Sequence, residues 1–164
     1  MPVIEPILSE IALRCERIRS GLDVGFCDED VTNVLRDFRG GVWMSVDARE
    51  QFPYEDSQFE VVVVNGAVVS RTIVREAHRV LRPEGCMFFT VSERRGSSGE
   101  GYTLPEVYRL VREGFDILSV RRPRWWFFSR KPRTLTLCAR KKAWREHKGF
   151  LRDGSLPFTP FRER

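Results

Sequence analysis

The chain has 164 residues, 41% of them hydrophobic, and a formal net charge of +5 at pH 7. That length suits one domain with a core of its own, and no apolar run approaches the ~20 residues that a membrane span requires. Glu5 and Glu10 interrupt the first residues, so neither a signal peptide nor an anchor is expected. Cys15, Cys27, Cys86 and Cys138 are far apart, and His78 and His147 are the sole histidines. No zinc-type spacing exists, so no metal site is expected, and scattered thiols fit a reducing, cytoplasmic setting.

Charge is unevenly spread. From Arg121 onward there are 14 Lys or Arg against 3 acids, whereas residues 1–120 carry 14 Arg, no Lys and 20 acids. Such asymmetry points either to a basic surface that meets an acidic partner or to a solvated tail.

In chain order, Pro6 to Arg19 reads as a helix. Pro6 suits its first turn, and Ile7, Leu8, Ile11, Cys15 and Ile18 form one apolar face. Ser20 to Gly25 is a short strand ending in glycine. Asp28 or Asp30 caps a helix with Val31, Val34, Leu35 and Phe38 on one side, ended by Gly40-Gly41. Val42–Val46 is a second strand, followed by Asp47-Ala48. Phe52 to Ser57 is a turn-rich loop, and Glu60–Val64 a continuous apolar run, the pattern of a strand buried on both faces. Ser70 caps a helix with Ile73, Val74, Ala77, Val80 and Leu81 inward, stopped by Pro83-Glu84-Gly85. Cys86–Val91 is another buried strand, and Glu93 to Gly101 a Gly/Ser loop. Thr103 and Glu106 make a capping box for a helix that buries Val107, Leu110 and Val111. Phe115–Arg121 and Arg133–Arg140 alternate apolar and polar residues, as an antiparallel pair does. The order of elements predicts an α/β fold with a largely parallel sheet, spanning residues 1–142, with a basic, loosely ordered tail over 143–164.

Two stretches carry a family resemblance. Asp47-Ala48-Arg49-Glu50-Gln51-Phe52-Pro53-Tyr54-Glu55-Asp56-Ser57-Gln58-Phe59-Glu60 and the valines after it resemble the type 11 methyltransferases. These have an Asp-Ala pair after a strand, an Asp-x-Ser-Phe-Asp turn and a buried valine strand. Arg75 to Gly85 resembles the family's helix ending Arg-Val-Leu-Lys/Arg-Pro-Gly-Gly. The resemblance covers residues 22–142 in outline. It implies a class I methyltransferase fold, Rossmann-like in three layers, with a C-terminal antiparallel hairpin and S-adenosylmethionine as cofactor. An open parallel sheet binds its ligand beyond the carboxyl ends of its strands. The resemblance therefore implies a cofactor set of Asp23, Gly25, Phe26, Asp47, Ala48 and Asn65, whereas Arg82-Pro83-Glu84-Gly85 falls at the opposite end as a structural turn.

The sequence departs from the family twice. Where the family has Asp-x-Gly-x-Gly-x-Gly, this chain has Asp23-Val24-Gly25-Phe26-Cys27-Asp28-Glu29-Asp30. One glycine survives, and three acids follow it, either facing the cofactor's positive groups or simply starting the next helix. The 16 residues between Gly25 and Val42 hold one helix, so the fold is reduced by one strand–helix unit. Asp47 then fits two positions. It lies 22 residues after Gly25, where an acid holds a ribose hydroxyl, yet its local text matches the family's adenine-side Asp-Ala, which is the reading preferred on sequence.

Methyl transfer needs alignment more than a reactive side chain, so no catalytic residue is assigned. Asn65-Gly66-Ala67-Val68 lacks the Asn/Asp-Pro-Pro-aromatic motif of many amino-methylating nucleic-acid enzymes. Asn65 either touches a ligand or caps its strand. Cys27 is read as a quiet thiol and His78 as a surface or satisfied core residue. Trp125, Trp126, Phe127 and Phe128 stand among Arg121, Arg122, Arg124, Arg130, Lys131 and Arg133. That mixture suits RNA, a protein partner, a lipid surface, or packing back onto the sheet. Two functions are expected: methyl transfer to an unidentified acceptor, or a non-catalytic binding protein that kept the fold and acts through its basic C-terminal region.

Overall fold

The computed structural model describes residues 4–26, 28–48, 51–94, 100–122 and 134–142. The elements run α1 (Glu5–Arg14), β1 (Ser20–Val24), α2 (Glu29–Arg39), β2 (Val42–Val46), β3 (Phe59–Val64), a 3-10 turn (Gly66–Val68), α3 (Arg71–Val80), β4 (Leu81–Ser92), α4 (Leu104–Val111), β5 (Phe115–Arg121) and β6 (Thr134–Lys141). They build one six-stranded sheet in the order β2-β1-β3-β4-β6-β5. β1 is parallel to β2 and β3, β3 is parallel to β4, and β6 is antiparallel to β4 and β5. This is the Rossmann-like methyltransferase architecture with its closing hairpin.

The valine run explains the layering. Val61 and Val63 point into a cluster with Ile7, Ile11, Val31 and Leu35 of α1 and α2. Val62 and Val64 point the other way, into a cluster with Ile73, Val74 and Val107 of α3 and α4. A strand apolar on both sides has to be covered on both sides, so helices flank the sheet on each face.

Most predicted elements occur, with two main differences. α1 ends at Arg14, not Arg19, because Cys15 turns to extended backbone, and Ile18 reaches the core from the following loop. The Arg82–Gly85 turn does not precede β4 but lies inside it: Leu81 pairs with Phe59, Cys86 with Val61, and the register shifts between them. Glu84 takes a left-handed φ of 64° there, where the family pattern has glycine. The Phe52–Ser57 loop is turn-rich as expected, and Arg79 ties it down. Arg79 Nη1 donates to the Tyr54 carbonyl and to Asp56 Oδ1, both at 2.8 Å, and Nη2 donates to the Phe52 carbonyl at 3.0 Å and to Glu76 Oε2 at 2.8 Å. Glu76 Oε2 also accepts from the Phe52 amide at 2.9 Å.

Burial alone would push the Glu76 carboxyl up, but the Arg79 guanidinium and the Phe52 amide hold it below its ordinary value of 4.5. A depressed carboxylate contributes stability that is present above the unfolded pKa and lost as pH falls through the folded one. Arg79→Ala should therefore cost about 2–3 kcal/mol at neutral pH. Denaturant titration should show the gap between variant and parent narrowing once the pH drops below 4.5.

Candidate functional site

Strand order reverses between β1 and β3: β2 lies on one side of β1, and β3, β4 and the hairpin on the other. The crevice at such a point, beyond the carboxyl ends of the strands, is where open α/β sheets hold ligands. Gly25 ends β1, Asn65 ends β3 and Asp47 ends β2.

Backbone contacts make this region tight. Gly25 donates to the Val46 carbonyl at 2.8 Å, and Asn65 donates from its amide to the Val24 carbonyl at 2.9 Å. The Asn65 side chain bridges both loops: Nδ2 donates to the Gly25 carbonyl at 3.0 Å, and Oδ1 accepts from the Ala67 amide at 3.1 Å. Asn65 thus caps the 3-10 turn and fastens the end of β1 to the end of β3. Gly25 has φ +77°, and a Cβ placed on it would meet Val68 Cγ2 at 2.6 Å. Its glycine is required by the neighbouring turn as well as by the backbone angle. Gly66 is equally confined, since a Cβ there would fall 1.6 Å from the Thr90 carbonyl oxygen.

Asp23 lies within β1 and is fully buried. Its Oδ2 accepts from Thr32 Oγ1 of α2 at 3.0 Å and from Ser45 Oγ of β2 at 3.3 Å. The carboxylate ties one helix and one strand to β1. Burial raises its pKa above 3.8, against the opposing hydrogen bonds from Thr32, the Phe26 backbone and Ser45. Phe26 itself packs against the α1–α2 cluster. Asp28 caps α2, accepting from the Asp30 amide at 2.9 Å, and Glu29 and Asp30 occupy the first turn, where the helix dipole favours them. The three acids are therefore helix starters.

A cleft of about 860 Å³ runs along the outer side of β2, between α2 and the Pro53-Tyr54 turn. It brings together Asp28, Glu29 and Asp47 at one end, with Arg36 as its cation. Gly25, Phe26, Asn65 and Asp23 do not line it; they lie one or two strands inward. Ala48 is exposed just beyond Asp47.

Sequence spacing concealed one cluster. Cys15, Cys86 and Cys138 share a single packed group. The Cys86 neighbour and burial push the Cys15 thiol up, and the Cys138 neighbour and burial push Cys86 up to about 11 against the lowering effect of Cys15, so both are protonated at neutral pH. Among the described residues, no group of three or more His, Cys, Asp or Glu is placed to hold a metal ion. No helix among them is long and apolar enough to cross a membrane. His78 stacks edge-to-face on Phe115 with centroids 5.3 Å apart. Arg122 pairs with Glu93, and Arg121 with the buried Glu10. Cys27, the Trp125–Phe128 segment and residues 143–164 lie outside the described residues. Ser92, at the carboxyl end of β4, pairs with Thr134.

No protein-family model matches the sequence, and no curated protein matches it. Solved structures do share its fold. A 1,6-didemethyltoxoflavin-N1-methyltransferase from Burkholderia thailandensis, solved with 1,6-didemethyltoxoflavin and S-adenosylhomocysteine bound, superposes with a TM-score of 0.67 at 20% identity, covering 85% of this chain and 78% of that one. A SAM-dependent methyltransferase from Aquifex aeolicus gives 0.64 at 15% identity, covering 84% and 88%. One from Methanosarcina mazei gives 0.57 at 15%, covering 84% and 98%. The chain has the class I methyltransferase fold.

A raised carboxyl destabilises the fold as pH climbs through its folded pKa, because the buried group must then ionise. Asp23→Asn keeps an acceptor for Thr32 and Ser45 and removes that charge. Its thermal midpoint relative to the parent should rise from acid to neutral pH. Asn65→Ala, which leaves the Gly25 carbonyl and the Ala67 amide without their partner, should cost about 1–3 kcal/mol at every pH.

Proposed function

We propose that this chain is an S-adenosylmethionine-dependent methyltransferase acting on an unidentified acceptor. The observation that carries the reading is the strand reversal between β1 and β3, with Gly25, Asn65 and Asp47 at three adjacent carboxyl ends. The solved neighbours with this architecture, one of them bound to S-adenosylhomocysteine, support it.

The residues fit such a cofactor. The crevice left by the strand reversal, beyond the carboxyl ends of β1, β2 and β3, is where open α/β sheets hold ligands. β2 lies directly beside β1, with Asp23 opposite Ser45, so Asp47 stands at the strand end next to the glycine loop. That favours the ribose hydroxyls as its partner over the adenine-side role that its local text suggests. Asp28 and Glu29 add negative potential that suits an ammonium and a sulfonium. The backbone of Gly25 and Phe26 would meet the amino-acid end. Bound there, the cofactor supplies an electrophilic methyl group, and the chain's part is to hold donor and acceptor in line. The basic, aromatic stretch from Arg121 to Arg133 would help to meet the acceptor, since its composition suits RNA or a protein.

A second reading, a binding protein that carries the fold without the cofactor, is favoured by one observation. The side chains of Asp28 and Asn65, and Oδ2 of Asp23, are engaged in bonds inside the chain. Titration calorimetry separates the two. The enzyme reading expects saturable binding of S-adenosylmethionine or S-adenosylhomocysteine, weakened roughly tenfold or more by Asp47→Ala. Absence of heat, with circular dichroism showing a folded chain, would leave the binding-protein reading in its place.

A further inference from the structure

Among the described residues, no strand lies beside the outer edge of β2. Val42 donates inward to the Arg19 carbonyl at 2.9 Å, and the Val46 carbonyl accepts from Gly25 at 2.8 Å. Alternate residues of a parallel strand turn their backbone groups to the same side, so Val42, Met44 and Val46 face β1, and Trp43 and Ser45 turn theirs outward. The outward Ser45 carbonyl accepts from the Tyr54 hydroxyl at 3.2 Å, a bond that a partner strand's amide would share or replace. Val42 is 66% exposed and Met44 39%, although both lie on the same strand face as the buried Val46. A flat edge with exposed apolar side chains is a template for another strand.

The charges beside this edge are polar along its length. α2 runs antiparallel to β2, with Glu29 and Asp30 in its first turn and Arg36 and Arg39 in its last. Along the cleft this places Asp28, Glu29 and Asp47 at the carboxyl end of β2 and Arg36 toward its start.

We propose that this edge is a homodimer interface, in which β2 of two copies pairs antiparallel about a two-fold axis at Met44 and joins the sheets. In that register Trp43 of each copy faces Ser45 of the other. These are the residues with outward backbone groups, and a directly opposed pair of that kind exchanges both bonds. Met44 meets Met44, and Val42 meets Val46, all on one face. A shift of one residue sets outward groups against inward ones and loses every bond. The two-fold also reverses α2, so the acidic end of each cleft faces the Arg36 end of the other. Hydrogen bonds, apolar contacts and charges are thus all self-complementary under one symmetry operation, as an isologous contact demands. That is why a second copy, and not an unrelated strand, is the occupant.

Sedimentation velocity of the whole chain over a concentration series should show a species of twice the 19.2 kDa chain mass. Met44→Lys sets two like charges against each other at the axis and should raise the dimer dissociation constant roughly 100-fold, with the melting profile of the monomer retained. Arg36→Glu should also weaken the dimer, and the charge swap Arg36→Glu with Glu29→Arg should restore it. A monomer at every concentration overturns the proposal, and so does a dimer indifferent to Met44→Lys. If that variant does not fold, the charge swap decides, and failure of the double variant to recover overturns the proposal.

Discussion

β1 and β3 have no face turned to solvent, and this constraint governs the molecule. Leu22, Val24 and the valines of β3 are enclosed by helices on both sides, so polar chemistry is confined to the strand ends. Asp23 is the exception, and it is answered from two directions by Thr32 and Ser45. Where β1 and β3 emerge, Asn65 joins their loops, and Gly25 leaves the space that the Gly66–Val68 turn occupies. The candidate site is therefore a consequence of burial further down: the reversal of strand order leaves a crevice, and the rigid strands beneath fix its walls.

The loop that departs most from the family pattern is well accounted for locally. Phe26 packs into the α1–α2 cluster, Asp28 caps α2, and Glu29 and Asp30 suit its dipole. A glycine-rich loop leaves its amides for a ligand, whereas this one uses an amide and a carboxylate for its own helix start. Fold and activity are separable here, since function resides in the site and not in the architecture.

Periodicity in the sequence was enough to find β3, the core of β4, the Ser70 and Thr103 helix starts and the closing hairpin, because each rests on local burial or capping. What it could not supply came from contacts far apart in the chain. The Phe52–Ser57 loop looks like any turn-rich segment until Arg79 is seen holding its carbonyls. The turn at Arg82–Gly85 reads as a break, yet the strand resumes its pairing after it. Three cysteines separated by 71 and 52 positions meet in one cluster, which no spacing rule anticipates. For the site, the strand-end position of Asp47 was readable, but its neighbour was not. Its place beside β1 depends on which strand follows α2 into the sheet, and that is a property of topology.

β4 is paired on one side by β3 and on the other by β6, whose residues come more than 40 positions later. During synthesis, the half of the sheet built from residues 20–92 has its last edge at Met87–Val91, an apolar segment fully enclosed in the finished fold. That edge stays unpaired until Thr134–Lys141 has left the ribosome. The order of translation thus exposes this apolar strand edge for several seconds at the usual ~5–20 residues per second. The antiparallel hairpin that completes the sheet is also what ends this vulnerable interval in the life of the nascent chain.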